Sequence, residues 1–213
     1  MIEIRGLNKK YVNTPVIKDL SFILDPGARM AIFGPSGTGK TTLLRLIAGL
    51  ELPDEGEISI AGSLASNKKY ALAPYRRGIG YVLQSPALWP HMTVAQNIMF
   101  GLEGLDKRQA PVRLNEVMEQ TGVAELSDRY PDEISGGQAR RVSLARTLAP
   151  KPKRYLMDEP LVNLDSKWKE RLLQLIDETV TVTGASLIYV THDREEVQYI
   201  SDNILFLENK ETY

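Results

Sequence analysis

Apolar and polar positions alternate at the start of the chain. Ile2, Ile4 and Leu7 predict one strand, and Val16 to Leu24 predicts a second, closed by the turn residues Pro26-Gly27. Arg29-Met30-Ala31-Ile32-Phe33 is a short apolar run ended by glycine, the pattern of a buried strand. Lys40 to Leu50 is rich in Leu, Ile and Ala and predicts a helix, and Gly56 to Ile60 and Ile79 to Leu83 predict further strands. From Thr93 to about Gly122 the period becomes helical. Leu114, Val117, Met118 and Thr121 fall at i, i+3, i+4 and i+7, although Pro111 and several glycines interrupt the region. Alternation then returns: a helix over Ser135 to Leu148, a strand at Tyr155-Leu156-Met157, a strand over Leu187 to Val190 and a last one at Ile204 to Leu207. Between them Trp168, Leu172, Leu175, Ile176 and Thr179 make one helical face, opposite Lys169, Glu170, Gln174, Asp177 and Glu178. No internal repeat or low-complexity segment occurs. Strands alternating with helices predict an α/β sheet, and residues 1–213 read as one domain with a helical insertion at roughly 85–150.

Composition narrows the chemistry. Of 213 residues, 26 are Lys or Arg and 27 are Asp or Glu, so the net charge of -1 argues against a dedicated nucleic-acid binder. Cysteine is absent, which excludes disulfides, thiolate nucleophiles and cysteine-bound metals. With only His91 and His192, a poly-histidine metal site is excluded too. No apolar run approaches the ~18 residues that span a bilayer, and Met1-Ile2-Glu3-Ile4-Arg5 opens no signal segment. The expectation is a soluble chain that stays in the cytoplasm. Lys151, Lys153 and Arg154 are expected to form a solvated surface.

Three places carry candidate chemistry. Gly34-Pro35-Ser36-Gly37-Thr38-Gly39-Lys40-Thr41 matches G-x-x-x-x-G-K-[ST], follows a predicted strand and opens a predicted helix. Its glycines let backbone N–H groups turn inward around phosphate oxygens, and the helix N-terminus adds positive charge. Lys40 is placed to reach the β- and γ-phosphates, and the Thr41 hydroxyl to ligate Mg²⁺. Next, Tyr155-Leu156-Met157-Asp158-Glu159 is an apolar strand ending in two carboxylates. Beside a phosphate loop, Asp158 suits the Mg²⁺ shell and Glu159 suits the attacking water. Finally, Ser135 is a candidate N-cap before Gly136-Gly137-Gln138 and a basic helix; the exposed N–H groups offer a second anion site, but on the residues alone a capped helix with a flexible start is the favoured reading, because Ser-Gly-Gly is common.

The chain resembles the nucleotide-binding subunit of an ATP-binding cassette (ABC) transporter, over almost its whole length and with the motifs in family order. Gly34 to Thr41 resembles the Walker A loop, and the resemblance extends the nucleotide-binding set to Thr42. Gln84, after Gly80-Tyr81-Val82-Leu83, resembles the Q-loop glutamine, a role that includes the metal. Ile134 to Gln138 resembles the Leu-Ser-Gly-Gly-Gln signature, with Ile for Leu. Met157-Asp158-Glu159-Pro160 resembles the Walker B end, Asn163-Leu164-Asp165 the D-loop, and Val190-Thr191-His192-Asp193 the switch histidine. Tyr11 stands where the family places an aromatic under adenine.

The resemblance implies a P-loop NTPase core with a mainly parallel sheet, an N-terminal antiparallel β element and a helical subdomain. It implies ATP and Mg²⁺ as ligands. It also implies a homodimer, or a dimer with a similar subunit, joined head to tail around two ATP. One subunit supplies Tyr11, Walker A, Gln84, Asp158, Glu159 and His192, and the other supplies Ser135, Gly136, Gly137 and Gln138 with Asp165 nearby. Catalytic roles fall to Glu159, His192 and Gln84. The implied partners are an integral membrane permease and a solute-binding protein, with the chain peripheral on the cytoplasmic face of the membrane. Pro86 to Val94, with Leu88 and Trp89, is apolar for a loop. It reads as core at a helix start or as a groove wall for a membrane subunit, and it leans toward import. The chain ends soon after His192, so no C-terminal regulatory domain is expected. Two other classes stand beside transport. A soluble ABC protein of translation or DNA repair usually carries two cassettes or a long coiled coil, neither of which is seen here. An ABC-type ATPase of envelope signalling or remodelling stays open.

Overall fold

The computed structural model describes residues 1–12, 14–201 and 203–207. These fall into two compact units. The first holds Met1–Tyr81, Lys153–Glu159 and the residues from Gly184 onward, and the second holds Val82–Pro152 and Pro160–Thr183.

Two sheets build the first unit. One has strands β1 (Ile2–Tyr11), β2 (Thr14–Leu24), β4 (Glu55–Ile60), β5 (Ser63–Asn67) and β6 (Tyr70–Ala71) in the order β2-β1-β4-β5-β6, and its pairs run antiparallel. Ile2, Ile4, Ile58 and Ile60 point inward from paired positions, the period-two pattern of a half-buried sheet. The other sheet has β3 (Arg29–Phe33), β7 (Ile79–Val82), β8 (Arg154–Asp158), β9 (Ser186–Val190) and β10 (Ile204–Phe206) in the order β10-β3-β9-β8-β7. Strands β10, β3, β9 and β8 are parallel, and β9 is buried at every position, as expected of strands covered on both faces. Helix α1 (Lys40–Ala48) leaves the phosphate loop and buries Leu43, Leu44, Leu46 and Ile47. Its last turn is closed by Arg77, which is 2% exposed and donates to the carbonyls of Ile47 at 2.8 Å and Ala65 at 2.9 Å.

The second unit is helical: α2 (Val94–Phe100), α3 (Gln109–Thr121), α4 (Gly136–Leu148) and α5 (Ser166–Thr183). Pro111 lies in the first turn of α3, where its missing N–H costs nothing. Leu172, Leu173, Leu175, Ile176 and Val180 form the buried stripe of α5. Arginines are buried in this unit. Arg113 donates to the carbonyls of Ala149 at 3.0 Å and Leu148 at 3.1 Å. Arg141 donates to the carbonyls of Thr121 and Gly122, with its guanidinium carbon 4.1 Å from the Trp168 ring centre. In the first unit, Lys153 is exposed, while Arg154 is half-buried and reaches the Arg77 carbonyl at 3.5 Å. The solvated reading therefore fails for Arg154, because its strand position carries the side chain inward. Helix α6 (Arg194–Ile200) and strands β5 and β6 go beyond the elements legible in the hydrophobic pattern.

Candidate functional site

Three neighbouring parallel strands end at one edge of the sheet. Strand β3 runs into Gly34, β9 into Thr191-His192, and β8 into Asp158 and Glu159. Ligands of α/β sheets collect at the carboxyl ends of such strands, where loops turn away and expose main-chain donors.

The loop between β3 and α1 is built on backbone that only glycine adopts readily. Gly39 caps α1 with φ 92°, and a Cβ there would stand 2.7 Å from Val16 Cγ1. The Thr38 hydroxyl donates to the Pro35 carbonyl at 2.9 Å and braces the turn. The Lys40 ammonium is 7% exposed and bends back to donate to the carbonyls of Gly34 at 2.7 Å and Pro35 at 2.6 Å. Burial lowers its pKa, partly offset by the charges of Glu159 and Asp158. A desolvated ammonium at a helix start with two carboxylates behind it is suited to a polyanion.

Asp158 is 1% exposed, and its Oδ2 has no hydrogen-bond partner. Burial pushes its carboxyl above the ordinary value, and a hydrogen bond with the Thr41 side chain works against that rise. Glu159 follows with φ 48°, in the left-handed region. Its N–H donates to the Val190 carbonyl at 2.9 Å, and its Oε1 stands 3.3 Å from His192 Nδ1. The reversal of backbone sense between residues 158 and 159 separates the two carboxylates. One is buried toward Thr41, and the other meets the more exposed histidine. The Thr191 hydroxyl accepts the Asp193 N–H at 3.0 Å, and Asp193 caps α6.

Tyr11 ends β1, with its hydroxyl donating to the Glu51 carboxylate and lying 3.4 Å from Thr42 Oγ1. Burial and the Glu51 bond push its pKa up. The ring is 42% exposed, with the Lys9 ammonium 5.5 Å from its centre. The first unit thus gathers Tyr11, the phosphate loop with Thr42, Asp158, Glu159 and His192. Nothing in the sequence marks Glu51 as the tether of Tyr11, since 40 residues separate them.

The second unit carries the rest. Ser135 caps α4 in a reciprocal box: its Oγ accepts the Gln138 N–H at 3.3 Å, while Gln138 Oε1 accepts the Ser135 N–H at 2.8 Å. The N–H groups of Gly136 and Gly137 fall in the first turn, where no carbonyl four residues back serves them. Leu164 Cδ2 lies against Gly137, so Asn163-Leu164-Asp165 sits beside the glycine pair. Asp165 Oδ1 accepts the Trp168 N–H at 3.1 Å and starts α5. Gln84 is exposed, with its carbonyl accepting from Arg140 at 2.8 Å. Trp89 is 44% exposed and packs 6.0 Å from Phe100 between ring centres. Next to it a cavity of about 400 Å³ is lined by His91, Met92, Gln96, Met99, Phe100 and Glu103.

Among the described residues no group of three or more His, Asp or Glu forms a metal cage. A metal held by one carboxylate, one hydroxyl and ligand phosphates needs none, and that is the usual habit of Mg²⁺. The orphaned Oδ2 of Asp158 beside Thr41 fits such an ion. No helix among the described residues is long and apolar enough to cross a membrane.

A family described as "ABC transporter" matches residues 17–162. The chain is 40% identical to "Fe(3+) ions import ATP-binding protein FbpC 2" of Haemophilus influenzae, over 98% of this chain and 59% of that protein. It is 43% identical to "Spermidine/putrescine import ATP-binding protein PotA" of Pseudomonas fluorescens, over 95% of this chain and 57% of that one. The chain thus spans about six-tenths of the length of the curated relatives it matches. Among solved structures, a dimeric post-hydrolysis state of the ATP-binding cassette MJ0796 bound to ADP and Pi superposes with a TM-score of 0.88 and 28% identity, covering 99% of this chain and 97% of that one.

Proposed function

The chain belongs to the ABC transporter family, and from that premise we propose that it is the ATP-hydrolysing subunit of a transporter, working as a head-to-tail dimer that encloses two ATP. The observation that carries the reading is the arrival of the phosphate loop, Asp158, Glu159 and His192 at the ends of three adjacent parallel strands. The Gly136-Gly137 pair, on a helix start of its own, supports the dimer, because it offers a second anion site on a chain whose phosphate loop already supplies one.

In this reading Gly34 to Thr42 wrap the phosphates, Lys40 neutralises the β- and γ-oxygens, and the Tyr11 ring stacks on adenine. Thr41, Asp158 and Gln84 would hold Mg²⁺, which when bound would neutralise charge on the phosphate oxygens. Glu159 accepts the proton of the water that attacks the γ-phosphorus, as the bond to ADP breaks. His192 orients Glu159 and that water. Ser135, Gly136, Gly137 and Gln138 of a second copy close the site, with that copy's Asp165 alongside. The relatives' names specify iron, polyamine and sulfate import at 39–43% identity. We therefore assign import as the direction and leave the solute to the other components, a membrane permease and a solute-binding protein. The chain sits peripherally on the cytoplasmic membrane face. Trp89, Phe100 and the adjoining cavity are the surface that receives the permease.

Mixing two inactive variants tests the composite site. Glu159→Gln disables one side and Ser135→Arg the other. In mixed dimers one site combines both defects and the other is whole. Activity returns to at most about a quarter of parent for independent sites, and less with coupling between them. Formed heterodimers with no recovered hydrolysis count against it.

A further inference from the structure

Residues 83–93 join β7 to α2 without regular backbone structure. Their main chain is held chiefly by side chains of α4 and α2. Arg140 Nη2 donates to the Gln84 carbonyl at 2.8 Å. Arg146 Nη2 donates to the carbonyls of Pro86 at 3.1 Å and Ala87 at 3.0 Å. Asn97, fully buried, accepts from the Trp89 N–H at 2.8 Å and donates to the Trp89 carbonyl at 3.1 Å. Arg146 Nη1 lies 3.4 Å from Asn97 Oδ1, which ties the two sets together.

Arg140 differs from the others in where it grips. It takes hold of the main chain of Gln84 and leaves that side chain exposed. Arg140 is 9% exposed, so its charge-assisted bond is partly shielded from water, which strengthens it and makes it costly to lose. It also stands only four residues after Gly136, on the helix that Ser135 caps. A shift of Gln84 is therefore passed directly to the helix start that carries the glycine pair.

We propose that Arg140 is a positioning residue that fastens Gln84 to the Ser135–Gln138 helix start, and that with Arg146 it joins the partner-facing segment 86–89 to that same helix. The proposal rests on the ATPase reading above. It acts through Gln84, so its signature is non-additivity with Gln84.

The test measures ATP hydrolysis by the full chain at concentrations that allow dimers, together with thermal melts. Arg140→Ala lowers kcat about tenfold, in line with loss of a charge-assisted bond, and leaves the KM for ATP within twofold. Arg140→Lys, which keeps a donor, stays within about threefold of parent. In a Gln84→Ala background, adding Arg140→Ala lowers kcat by less than about twofold. A parental kcat for Arg140→Ala overturns the proposal, and so does a tenfold loss that persists in the Gln84→Ala background. If Arg140→Ala does not fold, Arg140→Lys against Arg140→Gln carries the same cycle. A parent chain with no hydrolysis sensitive to Lys40→Ala brings down the ATPase reading and this proposal together. Failure of Arg140 alone leaves the ATPase reading standing.

Discussion

Glu159 and His192 meet at 3.3 Å although 33 residues separate them, because β8 and β9 are adjacent and parallel and end level, with Asp158 paired to Val190. The left-handed φ of Glu159 turns its carboxylate toward the histidine. In Glu159→Gln the shape survives and the base is gone. ATP affinity by calorimetry stays near parent, dimers persist in ATP on size exclusion, and hydrolysis falls by roughly 10²-fold or more. A parental rate in this variant removes Glu159 from the chemistry.

Lys40 supplies a charge that the loop has already desolvated. Replacing it with alanine removes the loop's ammonium and leaves the main-chain donors of the helix start to face the phosphate charge without it. Lys40→Ala loses measurable turnover and most ATP affinity, while its far-ultraviolet circular dichroism matches parent. Near-normal affinity in a calorimetric titration would argue that the loop serves another ligand.

Asp158 carries a pH-dependent cost. Its folded-state pKa lies above the unfolded value because of burial. The folded chain thus keeps a proton that the unfolded chain has released, and the contribution to stability falls as pH rises through the folded value. Asp158→Asn removes the charge. A gain of ~1 kcal/mol, well below the full cost of a buried uncompensated charge because the amide stays unpaired, raises Tm by roughly 2–4 °C at pH 7 in a chain of this size. The gain shrinks toward pH 4, and Mg²⁺-dependent ATP hydrolysis is lost. An unchanged Tm difference between pH 4 and pH 7 contradicts this account.

Leu88 and Trp89 test the partner surface without touching the nucleotide. Trp89 is held through its main chain by Asn97, so Leu88→Ser with Trp89→Ser preserves that anchor. Nucleotide affinity of the chain stays within about twofold, and assembly with the permease weakens by tenfold or more, as loss of an aromatic anchor does. Normal assembly and transport by this variant return the segment to ordinary core packing.

The phosphate loop, the two carboxylates and Ser135 were legible because their chemistry is written in consecutive residues. Helix α6 was not. Among Arg194-Glu195-Glu196-Val197-Gln198-Tyr199-Ile200 only Val197 and Ile200 form an apolar pair at helical spacing, and its start is set by the Asp193 cap. Strand β5 hides in Ser63-Leu64-Ala65-Ser66-Asn67, where only the small Ala65 and Ser66 are buried and the one large apolar residue, Leu64, is exposed. The buried arginines escaped for a different reason. Charge is visible in a sequence, but the carbonyls that Arg77, Arg113, Arg140 and Arg141 satisfy lie up to 56 residues away. Gln84 was found by its motif, whereas the bond that holds it depends on a fold.

The order β10-β3-β9-β8-β7 sets a schedule for synthesis. The strand that feeds the phosphate loop emerges among the first 33 residues, yet both of its neighbours are made more than 150 residues later, at 186–190 and 204–206. Until the ribosome has delivered Phe206, β3 lacks one flank, and until Val190 it lacks both. A growing chain therefore shows the complete phosphate motif long before it can hold a phosphate. Closing so long a loop is slow, and nucleotide becomes a ligand only once residues 186–206 have been made.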